Sequence, residues 1–137
     1  MVSDSRVSVE HKGLSYPAVK IMKGNGVIVG AAGLGSDCSR FMKWAISGFK
    51  GPEPKWIDTS SDDQAIGMIL REDGIYLWEI GDKDVPEKIE ADMFAIGSGG
   101  KAARAAMLLG ADPKQAVEIA CQVDDLYSGP PLQILEL

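Results

Sequence analysis

Val27-Ile28-Val29-Gly30-Ala31-Ala32-Gly33-Leu34-Gly35 is the stretch on which the fold turns. Its unbroken apolar start predicts a strand buried on both faces, and the glycines that end it precede a helical pattern over 36–49. Phe41, Trp44, Ala45 and Ile46 supply that helix with an apolar stripe, and Ser36 or Asp37 would cap it. A glycine-rich passage from strand to helix invites a dinucleotide-binding reading, but that motif depends on a βαβ unit. Here no parallel strand follows the helix directly, and Asp58 falls in a polar loop and not at a strand end where it could hold a ribose. The same glycines can free backbone N–H groups to face a developing oxyanion, or simply let a helix start lie close on a sheet.

Outward from this stretch the chain reads as strands in antiparallel runs. Val7 and Val9 alternate with Ser8 and Glu10, Gly13 to Pro17 suggests a turn, and 18–22 suggests a short strand. Asn25-Gly26 predicts a tight hairpin into the central strand. Beyond the helix, 65–70 and 75–80 flank Arg71-Glu72-Asp73-Gly74, a second hairpin with Asp-Gly expected at its tip, and 55–63 reads as loop. Residues 81–86 turn the chain, and 89–96 lead into Gly97-Ser98-Gly99-Gly100 and an Ala-rich helix over 101–109. Asp112-Pro113 opens a last helix expected to reach Tyr127, Pro130-Pro131 stops it, and 132–137 closes the chain as a strand. Strands, helix, strands, two helices and a strand make an α+β layered sandwich in a single domain over 1–137.

Composition narrows the function. The 137 residues carry 14 basic and 20 acidic side chains, a net charge of −6, with 45% hydrophobic and 25% charged residues. That acidity argues against nucleic acid, whose binding needs a basic face, and against an anionic membrane surface. No apolar run approaches the roughly 20 residues of a membrane span, and no signal peptide is apparent, so a cytoplasmic location is expected. Cys38 and Cys121 are too few for a disulfide scaffold or a zinc cage and are read as core packing. A Ser-His-Asp or Cys-His triad would have to use His11, the one histidine, in a polar turn.

Five motifs in order then carry a resemblance: Ser3-Asp4-Ser5-Arg6, Val19-Lys20, Val27 to Gly33, Ala95-Ile96-Gly97-Ser98-Gly99-Gly100 and Asp125-Leu126-Tyr127-Ser128-Gly129. Together they resemble the proteasome β subunits, and most closely the HslV-type peptidases, which are N-terminal-nucleophile hydrolases. The sixteen-residue interval from Asp4 to Lys20 is similar to that between the family's strand aspartate and active-site lysine. The resemblance implies a four-layer αββα sandwich and a threonine-type endopeptidase acting on protein or peptide substrates. It assigns Lys20 as the cation beside the nucleophile, Asp4 as its ion-pair partner and Arg6 as support behind them. Gly33 would donate its N–H to the oxyanion, and Ser98, Asp125 and Ser128 would surround the terminal amine and relay its proton.

The family's nucleophile is an N-terminal threonine whose own α-amine acts as base. Met1-Val2-Ser3-Asp4 offers no such group: Ser3 and Ser5 are misplaced and Val2 has none. The resemblance places Met1 inside the second strand, so a first strand with the threonine is expected upstream, about a dozen residues long. The chain as given is expected to be inactive. Two further readings stay open: a catalytically inactive structural ring subunit, and an amidohydrolase of small molecules on the same fold. No cofactor is required, although the resemblance admits a bound Na+ or Mg2+ on the main-chain carbonyls of Gln122, Asp125 and Ser128, near the last helix's end. A homo-oligomeric ring and an ATP-dependent unfoldase are the implied partners. Phe41, Met42 and Trp44, together with the small residues of 101–109, are candidates for a subunit contact.

Overall fold

The computed structural model describes residues 1–9, 12–55, 65–79 and 86–137. Its centre is a five-stranded antiparallel sheet in the order β4 (Ile21–Gly24), β5 (Val27–Ala32), β6 (Ile66–Arg71), β7 (Gly74–Glu79) and β8 (Glu87–Ile89). Asn25 and Gly26 both take positive φ between β4 and β5, the geometry of a two-residue hairpin turn. Glu72 and Asp73 turn β6 into β7 with Arg71 opposite Gly74. All described strand pairs are antiparallel, which removes the dinucleotide-binding reading.

Side-chain alternation along β5 sorts the layers. Val27, Val29 and Ala31 face α1 (Gly35–Ile46), in one core with Phe41, Met42, Ala45, Ile69 and Trp78. Phe41 lies directly over Gly67, where any Cβ would collide with its ring. The other face of β5 meets a second layer: the space a Cβ would take at Gly30 is bounded by the Met1 sulfur at 3.2 Å. That layer holds β1 (Val2–Ser3) paired with β9 (Gln133–Ile134), and the separate ribbon of β2 (Arg6–Val9) with β3 (Leu14–Pro17). The outer helices α2 (Gly100–Leu108) and α3 (Pro113–Val123) pack on each other through Ala103, Ala106, Ala116 and Ala120, and α3 rests on β1. Helix, sheet, sheet and helix pair make the αββα sandwich.

Several local expectations change. Residues 14–17 form a strand and not a turn, because their backbone pairs with Arg6–Val9. The strand expected over 18–22 begins only at Ile21, leaving 18–20 as a connector. Leu34 is the N-cap of α1, without a side-chain cap, and Asp37 sits buried inside its first turn, paired with Arg40. α3 starts on the expected Asp112, in a capping box with Gln115, but ends at Val123 instead of Tyr127. The closing strand shrinks to Gln133–Ile134. His11, Asp58 and most of the two segments expected as loop and turn lie outside the described residues.

The residues offered for a subunit contact are consumed within the chain. Phe41 and Met42 are buried under the sheet, Trp44 packs edge-on against Phe49 and Trp78, and the small residues of α2 serve α3. The most exposed large apolar side chains among the described residues are Leu109, Leu108, Leu126 and Val123, around the ends of α2 and α3.

Candidate active site

Asp4 lies in the short break between β1 and β2, where the chain leaves one partner strand for another. Its carboxylate is met by donors only. Lys20 Nζ donates to Oδ1 at 2.9 Å and to Oδ2 at 3.0 Å, while the backbone N–H groups of Arg6 and Gly129 donate to Oδ2 at 3.0 and 3.1 Å. The pair is shielded but not sealed, with side-chain exposures of 24% for Lys20 and 14% for Asp4. An ammonium held this way keeps a face toward water, the condition for acting on a neighbouring hydroxyl.

The segment after α3 is stitched to this pair. Ser5 N–H donates to Gly129 O at 3.1 Å, Ser8 Oγ donates to Leu126 O at 2.8 Å, and the Arg6 guanidinium donates to Asp125 O. That guanidinium lies on Gly129 so closely that an added Cβ would sit 2.6 Å from its Cζ. Ser128 is buried, donating its hydroxyl to Asp124 Oδ2 at 2.9 Å and its N–H to Asp124 O at 2.9 Å. The glycine loop leans on the same spot: a Cβ at Gly99 would meet Ser128 Oγ at 3.1 Å and Asp124 Oδ2 at 3.6 Å. Gly97, with φ +90, lies against Ala32 at the end of β5, next to Gly33.

These contacts close a circuit. From Gly33 it runs through Ala32 to the Gly97-Ser98-Gly99 loop, then to Ser128 and Gly129, to Asp4, to Lys20, and through the Lys20 carbonyl back to β5 at Gly30. Gly33 has φ +123 and its hydrogen faces the Ala65 backbone, where a Cβ would lie 2.6 Å from Cα, so glycine is required there. The stretch from Gly33 to Ser36 is exposed, leaving the uncapped start of α1 open to an incoming anion.

Asp4, Lys20 and Ser128 make contacts on this circuit, while Gly33 and Ser98 join it only as chain neighbours of Ala32 and of Gly97 and Gly99, the Ser98 side chain being exposed. The side chain of the sixth, Asp125, is exposed, and only its carbonyl joins, through Arg6. Its neighbour Asp124 reaches the Ser128 hydroxyl instead. Sequence reasoning missed Asp124 because the Asp125-to-Ser128 spacing matched the family motif. The four-residue interval from Asp124 to Ser128, one turn beyond a helix, was the available signal. Of the positions offered for a cation, Asp125 O accepts from the Arg6 guanidinium, and α3 ends at Val123, between Gln122 and the other two.

Both cysteines feel the Lys20 charge. Burial, and then Asp37, raise the Cys38 thiol to about 11, with Lys20 opposing. Burial and then Asp4 raise the Cys121 thiol, with Lys20 and Arg6 opposing. Neither is poised as a thiolate nucleophile. A cleft of about 340 Å3 between Trp44, Phe49, Arg71 and Trp78 contains none of the expected residues.

No protein-family model matches the sequence, and no curated protein matches it. Solved structures do match. The eukaryotic HslV from Trypanosoma brucei superposes with a TM-score of 0.68 at 23% identity, over 96% of this chain and 88% of that one. The Thiobacillus denitrificans BPH in complex with epoxomicin gives 0.67 at 18% identity, again over 96% and 88%. A second structure of that BPH gives 0.65 at 18% over the same shares. The chain has the fold of these proteins.

Proposed function

We propose that this chain is a proteasome-like, threonine-type endopeptidase subunit of the HslV kind, for intracellular proteolysis in the cytoplasm. The observation that carries the reading is the Lys20–Asp4 ion pair, locked by the Gly129 N–H at the mouth of a glycine-lined turn. A lysine so anchored suits a nearby hydroxyl that must lose its proton. In this mechanism Lys20 steadies the alkoxide as it attacks a peptide carbonyl, and the Gly33 N–H takes the oxyanion. Ser98, Ser128 and the Asp124–Asp125 pair hold the terminal amine that accepts the proton and later returns it to the leaving amine. The reading requires a threonine brought beside Lys20 from outside these 137 residues, since the sequence contains one threonine, Thr59, far from the motifs. It also expects a homo-oligomeric ring, with the exposed Leu108, Leu109, Val123 and Leu126 as contact candidates, and an ATP-dependent unfoldase.

That single threonine favours one alternative, a structural ring subunit that keeps the fold without catalysis. Protein isolated from its own cells distinguishes them by its mature N-terminal sequence and its intact mass after incubation with epoxomicin. An N-terminal threonine and a covalent adduct support the peptidase. A mature N-terminus at Met1 or Val2 with no adduct leaves the structural subunit.

A further inference from the structure

Lys20 sits on a connector. The backbone leaves β3 at Pro17 and enters β4 at Ile21, so 18–20 has no strand neighbour to fix it. Buried or half-buried peptide groups without a ladder need other partners, and a lysine on an untethered segment would not hold a defined position. One side chain meets that need. Gln133 accepts from the Lys20 N–H through Oε1 at 3.0 Å and donates from Nε2 to the Ala18 carbonyl at 2.6 Å. Its amide thus presents to residues 18–20 the acceptor and donor that a neighbouring peptide group would present in a sheet.

The position of Gln133 gives this clamp its reach. It lies in β9 directly opposite Ser3 of β1, and Ser3 precedes Asp4. One residue therefore ties the backbone carrying Lys20 to the strand that delivers Asp4. Among the described residues the other backbone hydrogen bond of this segment, Ala18 N–H to Ser5 O at 2.7 Å, holds its start and leaves the Lys20 backbone to Gln133. We infer that Gln133 is the positioning residue of the Lys20–Asp4 pair, its side-chain amide standing in for a missing strand beside residues 18–20. It touches no reacting atom and acts through Lys20. The role in catalysis rests on the peptidase reading, whereas the clamp itself does not.

The test compares wild type with Gln133→Leu, which keeps the bulk and loses both hydrogen bonds, and Gln133→Glu, which keeps the acceptor and loses the donor. Each is treated briefly with an amine-acetylating ester, and acetylation at each lysine is read by mass spectrometry. Lys20 acetylation should rise about fivefold or more in Gln133→Leu, the effect of freeing a contact of ordinary hydrogen-bond strength, and by less in Gln133→Glu. The exposed Lys43, Lys101 and Lys114 should keep their wild-type rates, and alkylation of the buried Cys38, which a merely destabilised fold would raise, should stay at its wild-type level. Asp4→Asn marks the fully released Lys20. Unchanged Lys20 acetylation in a folded Gln133→Leu overturns the inference, and if that variant does not fold, unchanged acetylation in Gln133→Glu does so. In the threonine-bearing protein, Gln133→Leu should lower kcat and leave KM unchanged. If acetylation shifts while wild type hydrolyses no peptide, the clamp stands and the peptidase reading falls.

Discussion

Replacing Asp4 by Asn keeps the shape of the side chain and changes what it can accept. All four hydrogen bonds to Asp4 are donated to it, two from Lys20 Nζ and one each from the Arg6 and Gly129 backbones. An amide has one acceptor oxygen. Set at the Oδ2 position it still serves both backbone N–H groups, and its NH2 then faces the Lys20 ammonium, donor against donor. The loss is therefore the charge-assisted part of the cluster, worth about 2 kcal/mol for a pair exposed to this degree. Asp4→Ala also strands the two N–H groups, adding about 1 kcal/mol each, for a total near 4 kcal/mol. Adding Lys20→Met to Asp4→Asn removes the orphaned ammonium and should recover about 1 kcal/mol. Urea unfolding followed by fluorescence of the Trp44–Trp78 cluster measures all four proteins. An Asp4→Asn variant within about 0.5 kcal/mol of wild type, or an Asp4→Ala no worse than Asp4→Asn, would refute this account of the cluster.

The remaining predictions concern the surroundings of that pair. Gly129→Ala pushes a methyl group into the Arg6 guanidinium and should cost about 1–3 kcal/mol in urea midpoint analysis, with Arg6→Ala on the same background restoring part of it. Gly33→Ala meets the Ala65 backbone and an unfavourable φ together, and should lower the thermal midpoint more than Gly35→Ala, where a Cβ finds open space. Burial raises the Cys38 thiol from 9.0 to about 11, so the folded state holds its proton more tightly than the unfolded chain. Its contribution to stability is full below pH 9 and is lost as pH rises toward 11, and Cys38→Ala should flatten that decline in unfolding midpoints.

The central layer was legible because its signals were local. The apolar run of β5, Asn25-Gly26 and Arg71–Gly74 each specify a strand or hairpin within a few residues, and all appear, the second hairpin turning on Glu72-Asp73, one residue before the expected Asp73-Gly74 tip. The second layer was harder. Leu14–Pro17 becomes a strand only because Arg6–Val9 lies beside it, with all four of its residues exposed, so no burial pattern announces it. β9 and the connector at 18–20 are likewise fixed by residues more than a hundred positions away. In the site, Asp4 and Lys20 came from the resemblance, whose motifs and sixteen-residue interval they match. Asp124 was hidden by an adjacent aspartate that matched the motif better, and Gln133 by the absence of any local pattern for an amide that completes a backbone ladder.

The central claim is that Lys20 serves chemistry as well as the fold. Peptide hydrolysis by the threonine-bearing protein and by its Lys20→Ala variant, both checked for cooperative unfolding, tests it most directly. The account predicts a loss of at least about a hundredfold, the usual range for a group acting on proton transfer, in a protein that still folds. Hydrolysis by Lys20→Ala at close to the wild-type rate would contradict it.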